Sequence, residues 1–164
     1  MKHILGLILL AIVVLQITQL SSLIHPIMAQ EKMQNRLQMA AIKAGIGDPG
    51  EKILNAVKVA SQQTNLSQEL ILSVMYSESS FKQEAISTKR YQGLMQIPHS
   101  NLLLHKEADV NTLIGARILL TKLALAEGDL RNAIILYKGW KVTDPEGKQQ
   151  ADKVLALMKR LREV

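Results

Sequence analysis

In one stretch of this chain after another, apolar residues recur three and four positions apart, and no strand-like run or internal repeat interrupts the pattern. Such spacing puts the apolar side chains on one face of a helix. Ile53, Leu54, Val57 and Ala60 share a face in a helix over 51–63. Leu130, Ala133, Ile134 and Tyr137 share another, as do Val154, Leu157, Met158 and Leu161. A long apolar helix is expected over 109–126, ending at Gly128. Apolar residues make up 48% of the chain but aromatic ones only 3%, a balance that suits helices better than sheets. The fold class expected is all-α, and 164 residues suffice for one domain with a real core.

The breaks between helices are readable too. Gly45-Ile46-Gly47-Asp48-Pro49-Gly50 is a turn in which Pro and Gly occur together. It divides a polar, helix-prone stalk or first helix, with Met33, Leu37 and Ala40 or Ala41 as a thin stripe, from the compact domain expected over 51–164. Ser67 and Asp129 stand where helix N-caps are needed. The segment 79–93 is polar and poorly periodic, so it is expected to be loop. Residues 138–147 are expected to be irregular, with Pro145 enforcing this.

The N-terminus points out of the cytoplasm. Met1-Lys2-His3 precedes an uncharged run over 4–24, apolar to Leu15 and then diluted by Gln16, Thr18, Gln19, Ser21 and Ser22. Two fates fit a segment over 1–29: a signal peptide cut after Ala29, or a single uncleaved membrane anchor. Residues 30–50 then form the stalk. The net charge of +6 favours anionic partners such as nucleic acid, phospholipid headgroups or acidic wall polymers. The scarcity of aromatics argues against single-stranded nucleic acid, which needs stacking platforms. Without cysteine there are no disulfides and no thiolate metal sites. His3, His25, His99 and His105 lack metal-ligand spacing, and Gly45-x-Gly47 lacks the context of a phosphate loop. Neither a metal nor a cofactor is expected.

One residue breaks the pattern. In the helix opening at Ser67 the stripe Ile71, Val74, Met75 continues to Glu78. A carboxyl group on a core-facing stripe near a helix C-terminus meets desolvation and the negative end of the helix dipole. Both favour its protonated form, which a general acid needs. Alternatively the helix ends there and Glu78 turns to water.

The motifs downstream of this glutamate carry more weight. Glu78-Ser79-Ser80-Phe81 is succeeded by Ala85-Ile86-Ser87, Gly93-Leu94-Met95-Gln96-Ile97, Asn111-Thr112-Leu113-Ile114-Gly115 and Ala133-Ile134-Ile135-Leu136-Tyr137. In order and spacing this series resembles the soluble lytic transglycosylase domain, a lysozyme-like fold that cleaves peptidoglycan. The resemblance implies that Glu78 is the catalytic acid/base, with Ser87 orienting it and the Tyr137 hydroxyl reaching towards it. It implies that Met95 and Gln96 contact sugar and that Gly93 lies where backbone approaches substrate, while Gly115 lets the long helix pack closely. Taken without the family, Met95 fits a core filler as well as a ligand contact, and Tyr137 fits simple packing. Where relatives often carry Gly and a small residue, this chain has Arg90 and Tyr91. Where they usually carry Asn after the tyrosine, it has Lys138, then Gly139-Trp140. Arg90 is expected to alter the loop or touch substrate carboxylates, and Lys138 and Trp140 to line a modified subsite.

No second catalytic carboxylate is evident. Glu69 lies nine residues before Glu78, roughly 13 Å along a helix, and Glu84, Glu107 and Asp109 have no position fixed by pattern. The resemblance therefore implies a one-carboxylate reaction that leaves 1,6-anhydromuramoyl ends. The alternatives are a muramidase that hydrolyses the same bond, and an inactive membrane-anchored protein that binds peptidoglycan. Expected partners are glycan strands, the membrane if the N-terminal segment stays uncleaved, and envelope, secretion or phage machinery, but not nucleic acid. The expected location is the periplasm or the periplasmic face of the inner membrane, or a virion.

Overall fold

The periodic stretches fold as helices. The computed structural model describes residues 2–98 and 107–164, with side chains from residue 14 onward. His99 and His105 lie outside the described residues, as does the side chain of His3. In chain order the elements are α1 (Lys2–Lys43), α2 (Glu51–Thr64), α3 (Gln68–Ser79), strands β1 (Tyr91–Gln92) and β2 (Ile97–Pro98), α4 (Ala108–Leu125), α5 (Leu130–Tyr137) and α6 (Pro145–Arg162).

The chain divides into two units, 1–36 and Leu37–Val164. In the first unit α1 exposes Leu15, Ile17, Leu20, Leu23 and Ile27. Among the described residues no helix is long and apolar enough to cross a membrane. The most apolar part of the expected signal or anchor segment falls largely on residues whose side chains lie outside the described ones.

The second unit begins within the last turns of α1, where Leu37, Ala40 and Ala41 are fully buried. The Gly-Pro break then reverses the chain, with Gly45, Gly47 and Gly50 at positive φ. Helix α2 packs on α4, α3 on α6, and α5 against both α4 and α6. Helix α3 lies at the centre. Leu70, Ile71, Leu72, Ser73, Val74 and Met75 are all buried, so its first two turns are enclosed on every face rather than along one stripe.

The caps follow from the side chains. Ser67 Oγ accepts the Leu70 N–H at 3.3 Å, and Asp129 Oδ1 accepts the Asn132 N–H at 3.0 Å. Each satisfies a donor that the first helical turn leaves without a partner. Pro145 does not break structure; it begins α6, directly after Asp144. A proline in the first turn loses no helical hydrogen bond, and its fixed φ suits the helix. The segment expected to be loop after Glu78 also holds some pairing. Strands β1 and β2 are antiparallel, with Tyr91 opposite Pro98 and Gln92 opposite Ile97, and Ile86 bridges to Gln92.

Candidate active site

Helix α3 is buried until its last turn, and that turn carries Glu78 into a cleft of about 260 Å³. Glu78, Gln96, Tyr137, Lys138, Tyr91 and Lys122 line it, with Ile118 and Leu136 as part of its apolar wall. The chain leaves α3 abruptly. Ser80 and Phe81 both take positive φ, 51° and 66°, a conformation that costs ordinary residues of order 1–3 kcal/mol each. The Ser80 N–H bonds to the Tyr76 carbonyl at 2.8 Å, and the Phe81 ring packs 5.4 Å from that of Tyr76. The helix therefore ends one residue beyond Glu78 and the following chain folds back.

Facing Glu78 is the Gly93-Leu94-Met95-Gln96 turn, which joins β1 to β2. Leu94 and Met95 are fully buried. The Met95 side chain packs on α4 at Gly115, where a Cβ would lie 2.4 Å from Met95 Cβ. Gly115 thus makes room for this turn. Met95 serves the site through its backbone. Its N–H donates to Asn111 Oδ1 at 2.8 Å, and its carbonyl accepts the Tyr137 hydroxyl at 2.7 Å. Asn111 Nδ2 also donates to the Gln92 carbonyl at 3.0 Å, so one buried carboxamide on α4 clamps both sides of Gly93. Gly93 has φ +78°, and a Cβ there would lie 2.3 Å from Asn111 Nδ2. The glycine makes room for Asn111. Gln96, at φ 46°, points its carboxamide nitrogen at the Ala85 and Gly93 carbonyls, at 3.1 and 3.0 Å. Its backbone conformation and both bonds place the side chain on the cleft wall.

Neither hydroxyl expected beside Glu78 bonds to it. Ser87 Oγ accepts the Tyr91 N–H at 3.0 Å and closes the turn before β1. Arg90 in that turn has φ 61°, a conformation glycine adopts at little cost. The Tyr137 hydroxyl goes to Met95. Burial, and after it the charge of Glu78, holds this phenol's pKa well above its ordinary 10.0. The folded protein thus keeps that proton more tightly than the unfolded chain does. The resulting stability is whole below pH 10 and is lost as pH rises through the folded-state pKa. Tyr137→Phe is expected to cost about 1 kcal/mol near neutrality. Melting curves taken between pH 8 and pH 11 should show that the variant lacks part of the alkaline decline of the parent.

The partner of Glu78 is Lys138, which follows α5. Lys138 Nζ lies 2.6 Å from Glu78 Oε1, with the side chains 11% and 15% exposed, and also donates to Ser77 Oγ at 3.3 Å. From the sequence Lys138 is expected to line a modified subsite, with no sign of this pairing. Trp140 is not among the residues that line the cleft; its side chain lies beside Gly147, where a Cβ would come within 2.7 Å of Trp140 Cβ. Glu78 is the acidic residue lining the cleft among the described residues. Glu107 lies 3.8 Å from Lys52 and lines a separate groove with Asp109, and Glu84 is exposed. Among the described residues no group of His, Cys, Asp and Glu could hold a metal.

Residues 55–135 match the family model described as the Transglycosylase SLT domain. No curated protein matches the chain.

Proposed function

From the transglycosylase SLT domain that this chain carries over residues 55–135, we propose that it is a peptidoglycan lytic transglycosylase with Glu78 as its single acid/base. The observation that carries this proposal is the placement of Glu78. A buried central helix ends so that one shielded carboxyl group enters a cleft walled by Gln96 and Tyr137. Rigid support of this kind lets a proton-transfer group act at defined geometry.

The reaction follows from one carboxyl group and the substrate's own atoms. Glu78, once released from Lys138 and protonated from solvent, gives that proton to the oxygen joining N-acetylmuramic acid to N-acetylglucosamine, and the C1–O4 bond breaks. The N-acetyl group of the muramic acid stabilises the cationic anomeric carbon. Ionised Glu78 then takes the proton of the 6-hydroxyl as O6 bonds to C1. The carboxyl group is restored, and the product ends in 1,6-anhydromuramic acid. A second carboxylate, which most glycosidases need, is replaced by substrate groups. Ser87 and Tyr137 act through the fold, by shaping the turn and holding the Met95 carbonyl, and Gln96 faces the sugar. The basic charge favours residence on an anionic wall outside the cytoplasm.

The test is the product. Purified sacculi digested by the full chain should release muropeptides whose ends resist borohydride reduction and carry the anhydro mass. Reducible ends would make the enzyme a hydrolase. The Glu78–Lys138 pair favours a second reading, a wall-binding protein that kept the fold without the reaction. Retention on sacculi with no released fragments would support that reading instead.

A further inference from the structure

Lys138 places an ammonium group directly on the candidate acid, its Nζ 2.6 Å from Glu78 Oε1. The side chains of the pair are 11% and 15% exposed. Lys122 lines the same cleft from α4. It has no carboxylate partner among the described residues, whose close ion pairs lie elsewhere. Among the described residues two cations and one carboxylate therefore line a partly desolvated recess, an excess of one positive charge. Such a recess attracts an anion more strongly than open surface does.

The pair also bears on the chemistry. While Lys138 donates to Oε1, that oxygen faces an ammonium and not a glycosidic oxygen. A carboxylate on the substrate that drew Lys138 away would release it. Lysine suits this exchange, since its charge sits on a flexible four-carbon stem with three donors. We infer that Lys138 is a specificity-determining residue: it recognises a carboxylate carried by the glycan near the scissile bond, exchanging Glu78 for that group as the substrate enters. The inference rests on the transglycosylase reading of this cleft. In wall glycan such a carboxylate has two sources. One is the lactyl group of muramic acid where the stem peptide is absent, and the other is the stem peptide itself.

The experiment compares the full-length protein with Lys138→Gln and Lys138→Arg. The probes are stem-free glycan strands, stem-bearing strands, and portions of each whose carboxylates have been converted to amides by carbodiimide coupling. Binding is read by calorimetry and cleavage by kcat and KM. The parent should lose about tenfold in affinity when the recognised carboxylate is amidated. Lys138→Gln should bind native and amidated strands alike, and Lys138→Arg should keep the parent's preference. Loss of preference on stem-free strands assigns the lactyl carboxylate, and loss on stem-bearing strands assigns the peptide. The inference is overturned if the parent does not discriminate, or if Lys138→Gln discriminates as the parent does. Both outcomes are read from binding, so they stand apart from whether anhydro ends are formed.

Discussion

Glu78→Gln is expected to lower the release of anhydro-ended muropeptides by about 10²–10⁴-fold, the range lost when a positioned proton donor is removed. The substitution keeps shape and hydrogen-bonding capacity, so the end of α3 and the cleft wall should remain. The transferable proton is lost. Stability should change far less, though not by zero. Lys138 is only 11% exposed, and with glutamine beside it the ammonium keeps a hydrogen bond but loses its counter-charge. Because the pair is not fully enclosed, solvent screening limits the loss to roughly 1–3 kcal/mol. Lys138→Met in the Glu78→Gln background should recover most of it, since no uncompensated charge is then left. Mass spectrometry of digested sacculi reads the activity, and urea unfolding reads the stability. An unchanged rate of release in Glu78→Gln would remove Glu78 from its proposed role.

The second large effect concerns the turn that faces Glu78. Gly93→Ala should destabilise the domain by about 2–4 kcal/mol, combining the cost of a positive φ with overpacking. The overpacking comes from Asn111, whose Nδ2 would lie 2.3 Å from the new Cβ. Asn111→Ala should cost a similar amount for a different reason. It leaves the buried Met95 N–H without its acceptor and the Gln92 carbonyl without its donor. The two effects should not add. With Asn111 shortened, the Cβ of Gly93→Ala has room, and only the backbone term remains. A double-mutant cycle by denaturant unfolding should give a coupling of about 1 kcal/mol or more. Additivity within error would mean that Gly93 and Asn111 do not meet as described.

Much of this molecule is written in short-range pattern. Helix positions follow from apolar spacing, and Ser67 and Asp129 announce the starts of α3 and α5 because capping is a local transaction between neighbouring groups. Pro145 shows how a local signal can carry two meanings. Proline excludes a helix interior but favours a first turn, and only the residues after it decide which applies. Gly93 is legible as a position that needs glycine. The group that crowds it lies on another helix, so the reason is not legible. Met95 is equally ambiguous, since an apolar residue within a motif reads the same whether it meets sugar or core.

Residue order alone settles the helical class, the principal breaks between helices, and the arrival of a carboxyl residue at the end of an apolar helix. These depend on interactions within a turn or two of chain, where residue spacing is geometry. It takes the packed domain to settle that α3 is enclosed on all sides, that Tyr137 spends its hydroxyl on Met95, 42 residues away, and that Glu78 meets Lys138 across 60 residues. Contacts at that range arise from how helices pack, and packing responds to the shape and volume of every neighbour at once. No local pattern of residues carries that information.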